Sequence, residues 1–89
     1  MERYDLYDNL SDYHKELFEK WVVKTEFQKM GKKTTACLIT LNNGFEVVGT
    51  SACVNELNFK FELGKQYSLA DALSKLDELV GFLLQEQSK

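Results

Sequence analysis

The feature that most constrains the fold is residues 34–54, where two short apolar runs flank the turn sequence Asn42-Asn43-Gly44. Apolar and polar residues alternate along each run, which is the period of a half-buried β-strand. Two such strands joined by an asparagine- and glycine-rich turn form an antiparallel hairpin. The sequence therefore predicts a β-hairpin around which the rest of the chain is arranged.

The length of the turn sets the register of this hairpin. A two-residue loop would place Leu41 opposite Glu46 and mix apolar with polar side chains, whereas a three-residue loop closed by a left-handed Gly44 places Leu41 opposite Phe45. We therefore predict a core face that holds Cys37, Ile39, Leu41, Phe45 and Val47, with Gly49 opposite Cys37 leaving room for a helix. The outer face holds Ala36, Leu38, Thr40, Glu46, Val48 and Thr50. Either it meets a partner or it is a half-wetted sheet surface.

The residues before the hairpin predict a helix and then a strand. Apolar residues recur at helical spacing at Leu6, Leu10, Tyr13, Leu17 and Trp21, with Asp8 or Ser11 as the N-cap. From residue 21 to residue 30 the period changes to two, and this predicts a strand with Trp21, Val23, Thr25 and Phe27 on one side. A turn at residues 30–33 returns the chain into the hairpin, which gives a three-stranded antiparallel meander.

The residues after the hairpin predict a long amphipathic helix. Ser68 and Asp71 resemble a capping box, and a broad stripe follows at Leu69, Ala72, Leu73, Leu76, Leu79, Val80, Leu83 and Leu84. Residues 55–67 fit either a strand or a helix, and we favour a helix from Asn58 with a bend or break between Gly64 and Ser68. The predicted fold is α+β, one domain over residues 1–89 in the order αβββα, with the last helix across the face of Ile39 and Phe45.

Composition excludes several classes of protein. No apolar run approaches the ~20 residues of a membrane span, and the start of the chain is acidic and aromatic rather than basic and apolar as in a signal peptide. Cys53 lies four residues beyond Gly49, about 13 Å along a strand, so a disulfide to Cys37 is out of reach and we expect two reduced thiols. With His14 as the sole histidine, we expect neither a metal site nor a cofactor.

The order αβββα is shared with double-stranded-RNA-binding domains, which carry a lysine cluster where the last helix begins. Here Lys60 and Lys65 are offset by Glu56 and Glu62, and the net charge is −3. A basic cluster does occur in the first turn, at Lys29, Lys32 and Lys33. Nucleic-acid binding through this turn therefore remains the alternative hypothesis.

No residue pattern in the sequence indicates catalysis. A triad would have to join His14 with Ser11, Ser51 or Cys53, and no spacing recommends any of them. The five glycines are too scattered for a phosphate-binding loop, and the adjacent carboxylates Asp77 and Glu78 point away from each other on a helix. The sequence therefore favours a protein that binds over an enzyme.

Several segments together resemble the gene product forty-nine / sixty-six family of small proteins from tailed phages and prophages. They are the run LITLNNGFEVVGTSACV at residues 38–54, Asn58-Phe59, residues 62–65, residues 70–76 and Gly81-Phe82-Leu83-Leu84. The similarity covers roughly residues 35–84. The chain departs from the family pattern at Phe82, where tyrosine is usual, and at Asp77-Glu78, where tryptophan or proline is frequent.

The resemblance implies a phage origin, expression in the cytoplasm of a bacterial host and no established activity. We expect the protein to act by binding a host or phage protein, as takeover and anti-defence proteins do, because one small core cannot absorb all of its apolar residues. The predicted partner surface comprises Tyr7, Val22, Leu38, Val48 and Phe82. A homodimer through an edge strand at residues 21–30 is a further expectation.

Overall fold

A computed structural model describes residues 9–88 of the chain. The elements in chain order are helix α1 (Asp12–Trp21), strands β1 (Val22–Met30), β2 (Thr34–Leu41) and β3 (Glu46–Ala52), a short 3-10 helix (Glu56–Asn58) and helix α2 (Phe61–Gln87). The strands form one antiparallel sheet in the order β1-β2-β3. The predicted α+β fold in the order αβββα is confirmed. None of the helices in the described part of the chain has the length and apolar character that crossing a bilayer requires.

The hairpin has the predicted register. Cys37 pairs with Gly49 and Ile39 with Val47, and the backbone N–H of Leu41 donates to the carbonyl of Phe45 over 2.8 Å. Gly44 closes the turn with φ +90°, a conformation that glycine adopts without a steric penalty. Phe45 was predicted in the core, yet its side chain is 55% exposed, because it lies next to the turn at the end of the sheet.

The core lies between one face of the sheet and the two helices. Its buried apolar side chains are Leu17, Cys37, Ile39, Leu41, Val47, Leu69, Ala72, Leu73 and Leu76. Helix α2 lies directly against Gly49, because a Cβ there would meet the Ser68 carbonyl and would lie 2.7 Å from the Ala72 Cα. Helix α2 runs antiparallel to β3. The Lys75 ammonium donates to the Val48 carbonyl at 3.0 Å, and the Asp71 carboxylate, one helical turn earlier, accepts the backbone N–H of Thr50, which lies later in the strand.

A β-bulge corrects the predicted faces of β1. The register with β2 shifts between Val22 and Lys24, so Val22 and Val23 exchange the sides that strict alternation would give them. Val22 therefore packs against the core, and Val23, predicted on the same side of the strand as Thr25 and Phe27, is 64% exposed. Past the bulge Thr25 and Phe27 are partly buried, in agreement with the alternation in the sequence.

Helix α2 is longer than predicted and has no break. It begins at Phe61 and continues through Gly64 and Ser68, so the predicted helix before residue 68 is confirmed and the bend after Gly64 is wrong. Ser68 is fully buried and its hydroxyl donates to the Lys65 carbonyl at 3.2 Å, so it is not a cap. Packing extends the helix, since Gly64 lies against Thr35 of the sheet.

Helix α1 begins at Asp12, and its N-cap is Ser11, which is one of the two caps predicted from the sequence. The Ser11 hydroxyl accepts the backbone N–H of His14 at 3.2 Å. Leu10 precedes the helix and packs against the core cluster. The other predicted cap, Asp8, and the helical position predicted for Leu6 lie outside the described residues.

Candidate interaction surfaces

A small cavity of about 110 Å³ lies between the end of β3, the 3-10 helix and the start of α2. Apolar side chains form much of its lining, and two exposed lysines, Lys33 and Lys60, complete it. We call it the lysine-lined cavity; its other lining residues are Ser51, Ala52, Cys53, Asn58, Phe59, Leu63, Gly64 and Tyr67. It is smaller than the ~300 Å³ at which pockets for small molecules begin, so it has room for one side chain rather than a cofactor.

Local hydrogen bonds shape the loop that leads into this cavity. The Asn55 side chain accepts the backbone N–H of Leu57 at 2.9 Å, which caps the 3-10 helix. Phe59 then has extended backbone and is partly buried beside the cavity. The loop leaves Val54 and Leu57 94% and 88% exposed. The surface around the cavity is therefore apolar as well as basic.

The fold brings the lysines of the first turn to the start of α2. The Lys29 ammonium lies 5.1 Å from the centre of the Phe59 ring, and the Lys65 ammonium lies 4.9 Å from that of Phe61. Residues 29–33 and 53–67 together hold five lysines and two glutamates, a net charge of +3. The rest of the chain holds six basic and twelve acidic residues, a net charge of −6. Sequence reasoning treated the two lysine groups separately and missed this shared end.

A second surface is the part of α2 that runs past the sheet. Gly49 contacts Ala72 of α2. The four strand steps back from Gly49 to Phe45 span about 13 Å, and helix α2 covers the same distance in about nine residues counted forward from Ala72. The sheet therefore ends level with about residue 81. We call residues 79–87, which begin just before this level and continue past it, the α2 tail. Val80 still packs against the core, and the exposed large apolar side chains are Leu79, Phe82, Leu83 and Leu84, at 43%, 68%, 45% and 60%.

The predicted partner residues do not form one surface. Leu38 and Val48 are directly paired on the outer face of the sheet, where Val48 is 48% exposed. Phe82 lies on the α2 tail, and Val22 packs against the core. Tyr7 lies outside the described residues. Because Glu26 and Gln28 line the same shallow depression as Leu38 and Val48, the outer face is mixed rather than an apolar patch.

Polar groups of α1 and α2 meet on the surface. His14 Nε2 lies 3.5 Å from the Ser74 hydroxyl, a partner that sequence reasoning did not consider. The Tyr13 hydroxyl donates to the Asp77 carboxylate, and this hydrogen bond raises the pKa of Tyr13. Neither contact borders the lysine-lined cavity. These pairs connect the two helices at the surface.

The two cysteines lie in different surroundings. Cys37 is fully buried in the core, and the loss of hydration raises its pKa to about 12, so its thiol stays protonated. Cys53 is partly buried at the cavity, and its thiol donates to the Asn55 carbonyl at 3.1 Å. Both thiols are free, and residues 9–88 bring together no group of three side chains suited to a metal ion.

The fold and these surfaces define a small αβββα protein with an apolar, basic end and an exposed apolar helix end. The chain belongs to the phage protein family described as N4 Gp49/phage Sf6 gene 66, whose model matches residues 11–88. The resemblance noted in the sequence is thereby confirmed, and its extent is wider than residues 35–84, since it includes α1 and β1. The family description assigns no activity. Neither a curated protein nor a solved structure matches the chain significantly.

Proposed function

We propose that this phage protein acts without catalysis, by binding a segment of a host or phage protein at the lysine-lined cavity. The observation that carries the proposal is the combination of an apolar lining, formed by Phe59, Leu63 and Tyr67, with two exposed lysines, Lys33 and Lys60. The Lys33 ammonium donates to the Val54 carbonyl at 3.1 Å, which holds it beside the cavity. Such a site suits a segment that inserts one apolar side chain and carries acidic residues beside it. The site of action is the host cytoplasm, where such binding redirects or disarms a host process.

The apolar content of the surface favours a protein ligand over a nucleic acid. Leu63 and Tyr67 are 42% and 60% exposed beside the cavity, and Val54 and Leu57 are more exposed still. Apolar and aromatic side chains of this kind are typical of the centre of a protein interface. They offer nothing to a phosphate backbone, whose binding rests on lysine and arginine. Binding of nucleic acid through Lys29, Lys32 and Lys33 is the alternative function, and the experiments below distinguish it from binding of a protein.

Site-specific photocrosslinking in bacterial cells tests the proposal. A photoreactive phenylalanine analogue replaces Tyr67 beside the cavity, and in the matched control it replaces the exposed Glu46 at the opposite end of β3. We expect one dominant crosslinked protein from position 67 and none of it from position 46. The double substitution K33E/K60E, which reverses both charges, removes the product. After purification, the captured protein binds the wild-type chain at least about tenfold more tightly than the double variant.

Two results would contradict the proposal. In the first, the photoreactive residue captures the same proteins at position 67 and at position 46, which indicates random contact. The other is a gel shift of single-stranded or duplex DNA or RNA at low salt that K29E/K32E abolishes and Y67D leaves intact. That pattern means that phosphates, and not an apolar segment, are the ligand.

A further inference from the structure

The α2 tail has the chemistry that the lysine-lined cavity selects. Four large apolar side chains of the tail are exposed, namely Leu79, Phe82, Leu83 and Leu84. Glu86 lies in the tail, Asp77 and Glu78 precede it and Lys89 follows it, so residues 77–89 carry a net charge of −2, and the preceding Lys75 is paired with Asp71. The tail is therefore an apolar, acidic helix, and the cavity is an apolar site among lysines. The two ends of one molecule are complementary in both respects.

One molecule cannot satisfy this complementarity by itself. Leu63 at the cavity and Leu83 in the tail are twenty residues apart on one continuous helix, which separates them by about 30 Å. The contact requires a second copy of the chain. We infer that the α2 tail of one copy docks on the lysine-lined cavity of the next, so that copies associate head to tail. This inference rests on the proposed function, because it assigns an occupant to the same site.

Charge favours this arrangement over a symmetric pairing of two tails. A tail-to-tail dimer would bring together two segments that each carry a net charge of −2 over residues 77–89. A head-to-tail contact places them against Lys33 and Lys60. Because the two contacting surfaces differ, each copy added leaves one free surface of each kind, and the association forms chains unless it closes into a ring. Self-association would also cover the cavity and compete with the partner protein.

Complementation between two variants tests the inference. L83D places a charge on the tail, and K60E/Y67D alters the cavity. Position 60 precedes the first turn of α2, where an acidic residue suits the helix dipole, so folding is retained, as circular dichroism checks. In analytical ultracentrifugation we expect wild-type species that grow with concentration and shrink with added salt. Each variant alone is monomeric. An equimolar mixture of the two gives one discrete heterodimer, because one intact tail meets one intact cavity.

Other outcomes overturn the inference. If the wild type sediments as a monomer at all concentrations, the ends do not bind. If L83D abolishes association, K60E/Y67D does not, and mixing restores nothing, then the tails pair with each other. Crosslinking of a partner protein at position 67 by a strictly monomeric chain would leave the proposed function standing and this inference refuted. Complementation between the two variants without a crosslinked partner protein at position 67 would support this inference and refute the proposed function.

Discussion

At the scale of single residues, Gly49 decides how closely the long helix approaches the sheet. A Cβ at this position would meet the Ser68 carbonyl and the backbone of Ala72. Backbone atoms in a helix cannot move aside as a side-chain tip can. We therefore expect G49A to lower the free energy of unfolding by at least about 2 kcal/mol, measured by urea denaturation.

Gly81 supplies the matched control for this prediction. Gly81 lies within α2 itself, and, in contrast to Gly49, a Cβ there would meet nothing within 4 Å. G81A should raise the free energy of unfolding by about 0.5–1 kcal/mol, because alanine favours a helix over glycine. A G49A variant as stable as G81A would refute the close contact between α2 and β3.

Asp71 is the other residue with a defined effect on stability. Its carboxylate accepts the backbone N–H of Thr50 at 2.9 Å and pairs with Lys75 at 3.3 Å, and the hydrogen bond from Thr50 is the main reason that its pKa is lowered. A lowered pKa means that the stabilisation is present above the ordinary value of 3.8 and is lost as the pH falls through the folded value.

The substitution D71N tests this. At pH 7 it should cost about 1 kcal/mol, a modest amount because the side chain is partly exposed to solvent. The difference from wild type should shrink as the pH falls below about 4, since both chains then carry a neutral group. Urea denaturation across pH 2–7 measures it, with E78Q on an exposed turn of α2 as the control. A constant difference at every pH would mean that the charge plays no part.

At the scale of elements, the starts of the two helices differ in how they are stabilised. Ser11 is the N-cap of α1, whereas Ser68, which the sequence suggests as a cap, lies in the interior of α2. S11A should therefore cost about 1 kcal/mol. S68A should change stability by no more than about 0.5 kcal/mol, because the lost hydrogen bond within the helix is offset by the better helix propensity of alanine. Thermal unfolding of both variants measures this, and the reverse order would place the start of α2 at Ser68.

At the scale of the whole molecule, the apolar stripe of α2 serves two purposes. Leu76 lies under the sheet and is 1% exposed, while Leu83 belongs to the same stripe, past the end of the sheet, and is 45% exposed. In dilute solution L76A should cost about 2–5 kcal/mol and L83A less than about 1 kcal/mol. Denaturation at a second, high concentration completes the measurement. There L83A should cost more than in dilute solution, because association stabilises the wild type.

The sequence determined the elements and the hairpin register, since both depend on neighbouring residues. Alternation along residues 34–54 and the left-handed Gly44 fix the pairing of Cys37 with Gly49, and helical spacing marks the stripe of α2. The partly buried position of Leu38 and the exposed positions of Val48 and Phe82 also follow from that patterning.

What the tertiary structure decided depends on contacts between distant residues. The bulge near Val22 turns one residue inward, and packing of Gly64 and Ser68 on the sheet carries α2 through a predicted break. The cavity likewise exists because β3, the 3-10 helix and α2 converge, so lysines far apart in sequence share one end of the molecule. Local propensity cannot encode these features, because each arises from the free energy of packing one element against another.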